Sequence, residues 1–246
     1  MSKITKYILV FFLILSTNLF AALKELPKNE ISKIEQLELF KKNEIKIVKA
    51  FDAGSLYVLT IKIKENSDEI FLTKDKKFII SGAVVDVNTG STLSAPVDVR
   101  ILKNKEAFSF GTGKDEYVLF TDPECTYCKK FESYLPQIKD KVKIKVFLFP
   151  LDFHENAKDL SLYIMSQKTA SQKIDAMFEF NIGDDLSKVK NAKYSKETLA
   201  NLEKKLEEQM GLANVLNVQA TPTLFDKEGN AIIWIELLEK YGIEVK

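Results

Sequence analysis

The only two cysteines of this 246-residue chain, Cys125 and Cys128, are separated by two residues. A bridge across so short a loop stabilises a domain little. Chemistry is therefore a better reason for the pair than structure, and thiol–disulfide exchange is the chemistry two close thiols do. The attacking species in exchange is a thiolate. The pair follows an apolar run, Tyr117-Val118-Leu119-Phe120, and opens a helical pattern with Tyr127, Phe131, Tyr134 and Leu135 largely on one face. A sulfur at a helix start meets unpaired backbone N–H groups and the positive end of the macrodipole, and both favour the anion. Cys125 is the expected nucleophile. Cys128, one turn further in, is the expected resolving thiol.

Other uses of the pair fit less well. Zinc wants four ligands, and the chain has two Cys and one His. A c-type haem site needs His after the second cysteine, where Lys129 stands; an iron–sulfur cluster lacks two cysteines. No metal and no cofactor is expected. An inert structural bridge stays open as an alternative.

Around the pair, Asp122 and Glu124 are negative neighbours that would oppose the helix terminus. Lys129-Lys130 reads as a solvated face rather than a source of positive potential. His154, the single histidine, follows Phe149-Pro150 and reads as a solvated loop residue, with proton transfer or pH sensing as the alternative. Trp234 reads as a packing residue of the last strand. Downstream, Ala220-Thr221-Pro222-Thr223-Leu224-Phe225 puts a proline at the mouth of an apolar strand. Taken alone that is an ordinary strand-start proline.

The elements that must position these residues give an α+β chain in two parts. Residues 1–22 read as a signal peptide: basic Lys3 and Lys6, an apolar run Ile8 to Leu15, and small residues at Ala21 and Ala22. An uncleaved anchor is the alternative. Either way the remainder is expected outside the cytoplasm. The charges of the whole chain balance, 36 basic against 35 acidic, and losing Lys3 and Lys6 turns +1 into −1, which gives no basic excess for a nucleic-acid partner. Residues 23–87 read as a helix over 27–43 followed by alternating strands, with a turn at Lys74-Asp75-Lys76-Lys77 and Gly82 as a bulge. So small a unit is near the lower limit of independent stability, and its free strand edge offers a means to dimerise. Residues 88–104, turn-rich with Pro96, read as a linker. Residues 105–246 run strand, strand, helix (kinked by Pro136), strand, a helical stretch of about 155–210, a hairpin around Lys227-Glu228-Gly229-Asn230, and a terminal helix from Glu236 to Tyr241.

A strand that delivers C-x-x-C to a helix N-terminus is the thioredoxin arrangement, here carrying a helical insertion. The segment Phe120-Thr121-Asp122-Pro123-Glu124-Cys125-Thr126-Tyr127-Cys128-Lys129-Lys130-Phe131 resembles the active site of the periplasmic disulfide isomerases of the DsbC/DsbG type. Thr221-Pro222 is similar to their Thr–cis-Pro element, and Ile70 to Val87 resembles the end of their N-terminal domain. The resemblance implies a small cystatin-like N-terminal dimerisation domain and a homodimer with two catalytic domains around one cleft. It implies unfolded or misoxidised exported proteins as clients and a membrane thiol-transfer reductase of the DsbD type as electron source. Thr221 and Pro222 would then pair with substrate backbone. Thr126-Tyr127, where the family commonly has Gly-Tyr or Pro-Tyr, would tune the redox potential.

Three functions follow as expectations. The first is a periplasmic dimeric isomerase or reductase. The second is a monomeric oxidase or specialised reductase, acting on sulfenic acids or apocytochromes. The third is a chaperone-like binding module. The N-terminal unit and the absence of a Pro-His dipeptide between the cysteines favour the first.

Overall fold

The computed structural model describes residues 23–64, 66–87, 90 and 92–245. The signal-peptide reading of 1–22 lies outside the described residues. The described residues form two five-stranded sheets.

In the first unit, β1 (Lys24–Glu25), β2 (Lys46–Asp52), β3 (Leu56–Ile63), β4 (Asn66–Thr73) and β5 (Ile79–Ser81) pair antiparallel in sequence order. The expected single helix is two: α1 (Lys28–Glu35) and α2 (Glu38–Lys42). The break has a packing reason. Ile34 and Phe40, six residues apart, would lie about 120° apart around one continuous helix. With Leu37 extended between them (ψ 142°), both are buried against Ala50, Leu59, Ile61, Ile70 and Leu72. Gly82 is not a bulge; β5 ends at Ser81 and Gly82, at φ 103°, turns the chain out of the sheet.

The segment joining the units is tied to each of them by adjacent bonds near its middle. Ala95 N donates to Glu69 Oε2 at 2.8 Å, and Val97 N donates to Gly229 O at 2.9 Å. A 3-10 turn at Val99–Leu102 then buries Leu102.

The second sheet holds β6 (Phe108–Phe110), β7 (Asp115–Thr121), β8 (Val142–Leu148), β9 (Thr223–Asp226) and β10 (Ala231–Ile232), in the order β10-β9-β7-β8-β6. Only β7 and β8 pair in parallel. β7 is buried on both faces from Tyr117 to Thr121, which is why Tyr117-Val118-Leu119-Phe120 reads as a continuous apolar run, whereas β8 alternates at its start, where Lys143 is exposed. Tyr117, Leu119, Ile144, Val146 and Leu148 face the helical side. Val118, Phe120, Phe147 and Phe149 face Leu102, Ala213, Leu216 and Val218.

The helices are α3 (Thr126–Tyr134), α4 (Ala157–Ser166), α5 (Ala170–Glu179), α6 (Ser187–Lys190), α7 (Lys196–Val215) and α8 (Trp234–Lys240). The helical insertion thus extends to Val215. Pro136 ends α3 instead of kinking it: without an N–H it cannot continue the ladder, and the chain tightens into a 3-10 turn at Leu135–Gln137. Trp234 belongs to no strand; β10 is two residues long and Trp234 opens α8, its ring 5.8 Å from that of Phe131. Among the described residues no helix is long and apolar enough to cross a membrane.

Candidate active site

β7 ends at Thr121, and Asp122-Pro123-Glu124 carry the chain to Cys125, the residue that caps α3. Cys125 has extended backbone (φ −82°, ψ 125°) while its carbonyl accepts Lys129 N at 3.0 Å. Both cysteines are free thiols; Cys125 is 7% exposed and Cys128 is closed off.

The two sulfurs are driven in opposite directions. Cys125 falls from the ordinary 9.0 to about 5. The chief cause is the hydrogen bond from the Cys128 side chain; burial opposes it, and the Thr221 side chain and the backbone N–H groups of Cys128 and Tyr127 add to it. Cys128 is pushed up, chiefly by burial and then by its bond to Cys125. Thr221 comes from the start of β9. Its carbonyl lies 3.4 Å from Cys125 Sγ, and its buried Oγ1 has no settled partner, leaving it free to donate to a thiolate. The Thr221–Pro222 peptide bond is cis. Thr126 and Tyr127 stand outward, Tyr127 at 66% exposure. Cys125, Cys128 and Thr221 are therefore gathered, with Pro222 beside them, and the intervening pair forms an outer rim.

Asp122 and Glu124 do more than add negative charge. Asp122, fully buried, accepts Glu124 N through Oδ1 at 2.7 Å. Its Oδ2 accepts Leu151 N at 2.7 Å and lies 2.8 Å from His154 Nδ1. Asp122 N donates to Cys128 Sγ at 3.4 Å. Glu124 accepts both the backbone N–H and the side-chain Nδ2 of Asn156 at 2.7 Å. His154 is thus no free loop residue but part of the tie between the loop after β8 and the segment before Cys125.

Lys129 is turned inward rather than solvated, its side chain 10% exposed. It donates to Glu132 Oε2 at 2.9 Å and to Met177 O of α5 at 2.6 Å. Glu132 is enclosed and also accepts Thr121 Oγ1 at 2.8 Å. Burial pushes its carboxyl up, the lysine and threonine oppose this, and a Cys125 charge adds to it. The sequence reading missed Glu132. Its spacing four residues after Cys128 was the available signal, because that places both on one helical face. Among the described residues, no group of three or more His, Cys, Asp or Glu side chains is arranged to hold a metal ion.

Comparison with known proteins follows the same lines. The thioredoxin-like domain family matches residues 109–236. A curated relative in Bordetella avium (strain 197N), described as a probable thiol:disulfide interchange protein DsbC, is 26% identical over 181 residues, covering 67% of this chain. The chain spans 57% of that relative's length. Among solved structures, a periplasmic thioredoxin-like protein from Salmonella enterica serovar Typhimurium matches with TM-score 0.47 at 17% identity, covering 59% of this chain and 95% of its own. Helicobacter pylori DsbG matches with TM-score 0.38 at 13% identity, covering 81% of this chain and 100% of its own.

Proposed function

We propose that this chain, which belongs to the thioredoxin-like domain family, exchanges disulfides with unfolded or misoxidised exported proteins in the periplasm through Cys125 and Cys128. The observation that carries the reading is geometric: Cys125 caps the start of α3 with its sulfur 3.4 Å from the Thr221 carbonyl, beside the cis Thr221–Pro222 bond. There the Cys128 side chain drives the Cys125 pKa down, while burial drives that of Cys128 up.

The Cys125 thiolate attacks one sulfur of a client disulfide. The Cys125–client bond forms as the client bond breaks, and the other client sulfur leaves as thiolate. Two routes follow. In isomerisation, a client thiolate attacks the mixed disulfide and Cys125 is released as thiolate. In reduction, Cys128 gives up its proton to the departing client sulfur and bonds to Cys125. The client gains two electrons from the cysteine pair and one proton from Cys128, while its first sulfur, which left as thiolate, takes its proton from solvent; the cysteine pair becomes a disulfide. The pair must then be reduced by an external dithiol, for which a membrane thiol-transfer protein of the DsbD type is the candidate class. The Thr221 backbone, beside the Cys125 sulfur, is placed to pair with an extended client segment while the bond is exchanged.

Residues 23–87 support the isomerase form of this reading. β5 is one of the sheet's two edges, with exposed Ile80 (38%) in it and exposed Phe78 (65%) just before it. A two-fold pairing through such an edge closes on itself and would set two Cys125 sites together. The stabilised Cys125 thiolate also suits the second reading, a disulfide donor, because it favours the reduced pair over the oxidised one. Trapping tests the exchange itself. Cys128→Ala should accumulate client mixed disulfides on non-reducing gels and Cys125→Ala should not; equal trapping by both would overturn the roles. The resting state of the pair in cells separates the two readings, reduced for an isomerase or reductase and oxidised for a donor.

A further inference from the structure

Phe153 is 76% exposed, on the loop between β8 and α4. That loop is firmly held. Asp122 takes Leu151 N and His154 Nδ1, and Glu124 takes Asn156 twice, so four contacts of 2.7–2.8 Å bind it to the residues immediately before Cys125. The His154 ring stands edge-on to Phe153, centroids 4.5 Å apart at 65°. Tyr127, between the two cysteines in sequence, is 66% exposed. Cys125 itself is 7% exposed, and the loop that carries Phe153 is tied to the two residues Asp122 and Glu124 that lead into it, so a client sulfur that reaches Cys125 brings its sequence neighbours close to these exposed rings. An exposed phenyl ring gains little from folding, and fixing it beforehand lowers the entropy lost when something binds to it.

We infer that Phe153, together with Tyr127, is a specificity determinant of the exchange site, selecting client cysteines whose neighbours in an unfolded polypeptide are large apolar residues. The inference rests on the exchange reading and names its substrate class. Asp152 and Glu155, exposed on either side of Phe153 and His154, set a preference against acidic neighbours. Cysteines with apolar neighbours are those a correctly folded protein buries. The rim would therefore distinguish misfolded clients from finished ones without reading any particular sequence.

The test uses short peptides with Phe, Leu, Ser or Glu next to one cysteine, each joined by a disulfide to a coloured aryl thiol. Attack by Cys125 forms the Cys125–peptide bond, breaks the peptide–aryl bond and releases the aryl thiolate, whose absorbance gives the rate. The full-length reduced protein should react about fivefold faster with the Phe peptide than with the Ser peptide, the size of one aromatic contact. Phe153→Ser should bring that ratio close to one, and Phe153→Leu should keep most of it. Because the readout is a ratio within one protein, a general loss of rate does not imitate the effect. A wild-type ratio near one, or the same ratio in Phe153→Ser, overturns the role of Phe153 and leaves exchange standing. No release from any peptide overturns the exchange reading, and this inference with it.

Discussion

Asp122 Oδ2 meets His154 Nδ1 at 2.8 Å across 32 residues of sequence, and the carboxylate has no exposed surface. That contact ties the end of β7 to the loop after β8 directly beneath the cysteine pair.

The first prediction concerns this buried carboxylate. Asp122→Ala leaves Glu124 N, Leu151 N and the His154 ring without their acceptor. Each lost bond costs about 1 kcal/mol and buried donors cost more, so the reduced protein should lose about 3 kcal/mol of stability. Urea unfolding measures it. A loss under about 1 kcal/mol would mean that water replaces the carboxylate.

The second concerns pH. In the folded dithiol protein Cys125 sits at about 5 against an ordinary 9.0. Between those values the unfolded chain holds the thiol proton and the folded chain does not. The unfolded state therefore binds more protons, and stability of the reduced form rises with pH. The contribution is complete above the unfolded value and is lost as pH falls through about 5; the slope reaches at most about 1.4 kcal/mol per pH unit. Cys128, pushed up, keeps its proton in the folded state, so it adds nothing well below the ordinary thiol value of 9.0 and opposes the gain as pH rises through that value, where the unfolded chain begins to lose a proton that the folded chain holds. Thiolate absorbance should titrate with a midpoint near 5 in wild type, and exchange rates should fall below it. A midpoint near the free-thiol value would remove the case for Cys125 as nucleophile.

The third concerns the inward pair Lys129–Glu132. Lys129→Met removes the cation facing an enclosed carboxyl and leaves Met177 O without its donor. Breaking a buried pair from one side costs about 3 kcal/mol, whereas replacing both partners by apolar residues is often close to neutral. Lys129→Met/Glu132→Leu should therefore be more stable than Lys129→Met alone. Thermal unfolding of the two variants checks the order, and the reverse order would show that the carboxyl is not the source of the cost.

The fourth concerns residues 23–87. Full-length protein should be a homodimer at micromolar concentration by light scattering. A chain lacking 23–87 should be monomeric, still reduce small disulfides, and fail to refold a scrambled multi-disulfide substrate. A monomeric full-length protein would favour the donor reading.

The cysteine pair, its strand and its helix were legible because they lie within one short segment whose pattern is local. Thr221 was legible only through a resemblance, as nothing near position 221 announces a sulfur 96 residues away. His154 and Lys129 were read as solvated because their partners, Asp122 and Met177 O, are brought to them by the packing of other elements. The split of the first helix and the end of α3 follow from details that periodicity averages over: which face Ile34 and Phe40 must both reach, and where Pro136 withholds its N–H.

The distance along the chain between Cys125 and Thr221 also sets a timetable. A ribosome makes the cysteine 96 residues before the threonine that approaches its sulfur. Until β9 has paired with β7, the Thr221 hydroxyl is not in place, and the Cys125 thiol lacks part of what makes it an anion. The Cys125 sulfur therefore gains its full anionic character only once β9 has joined the sheet.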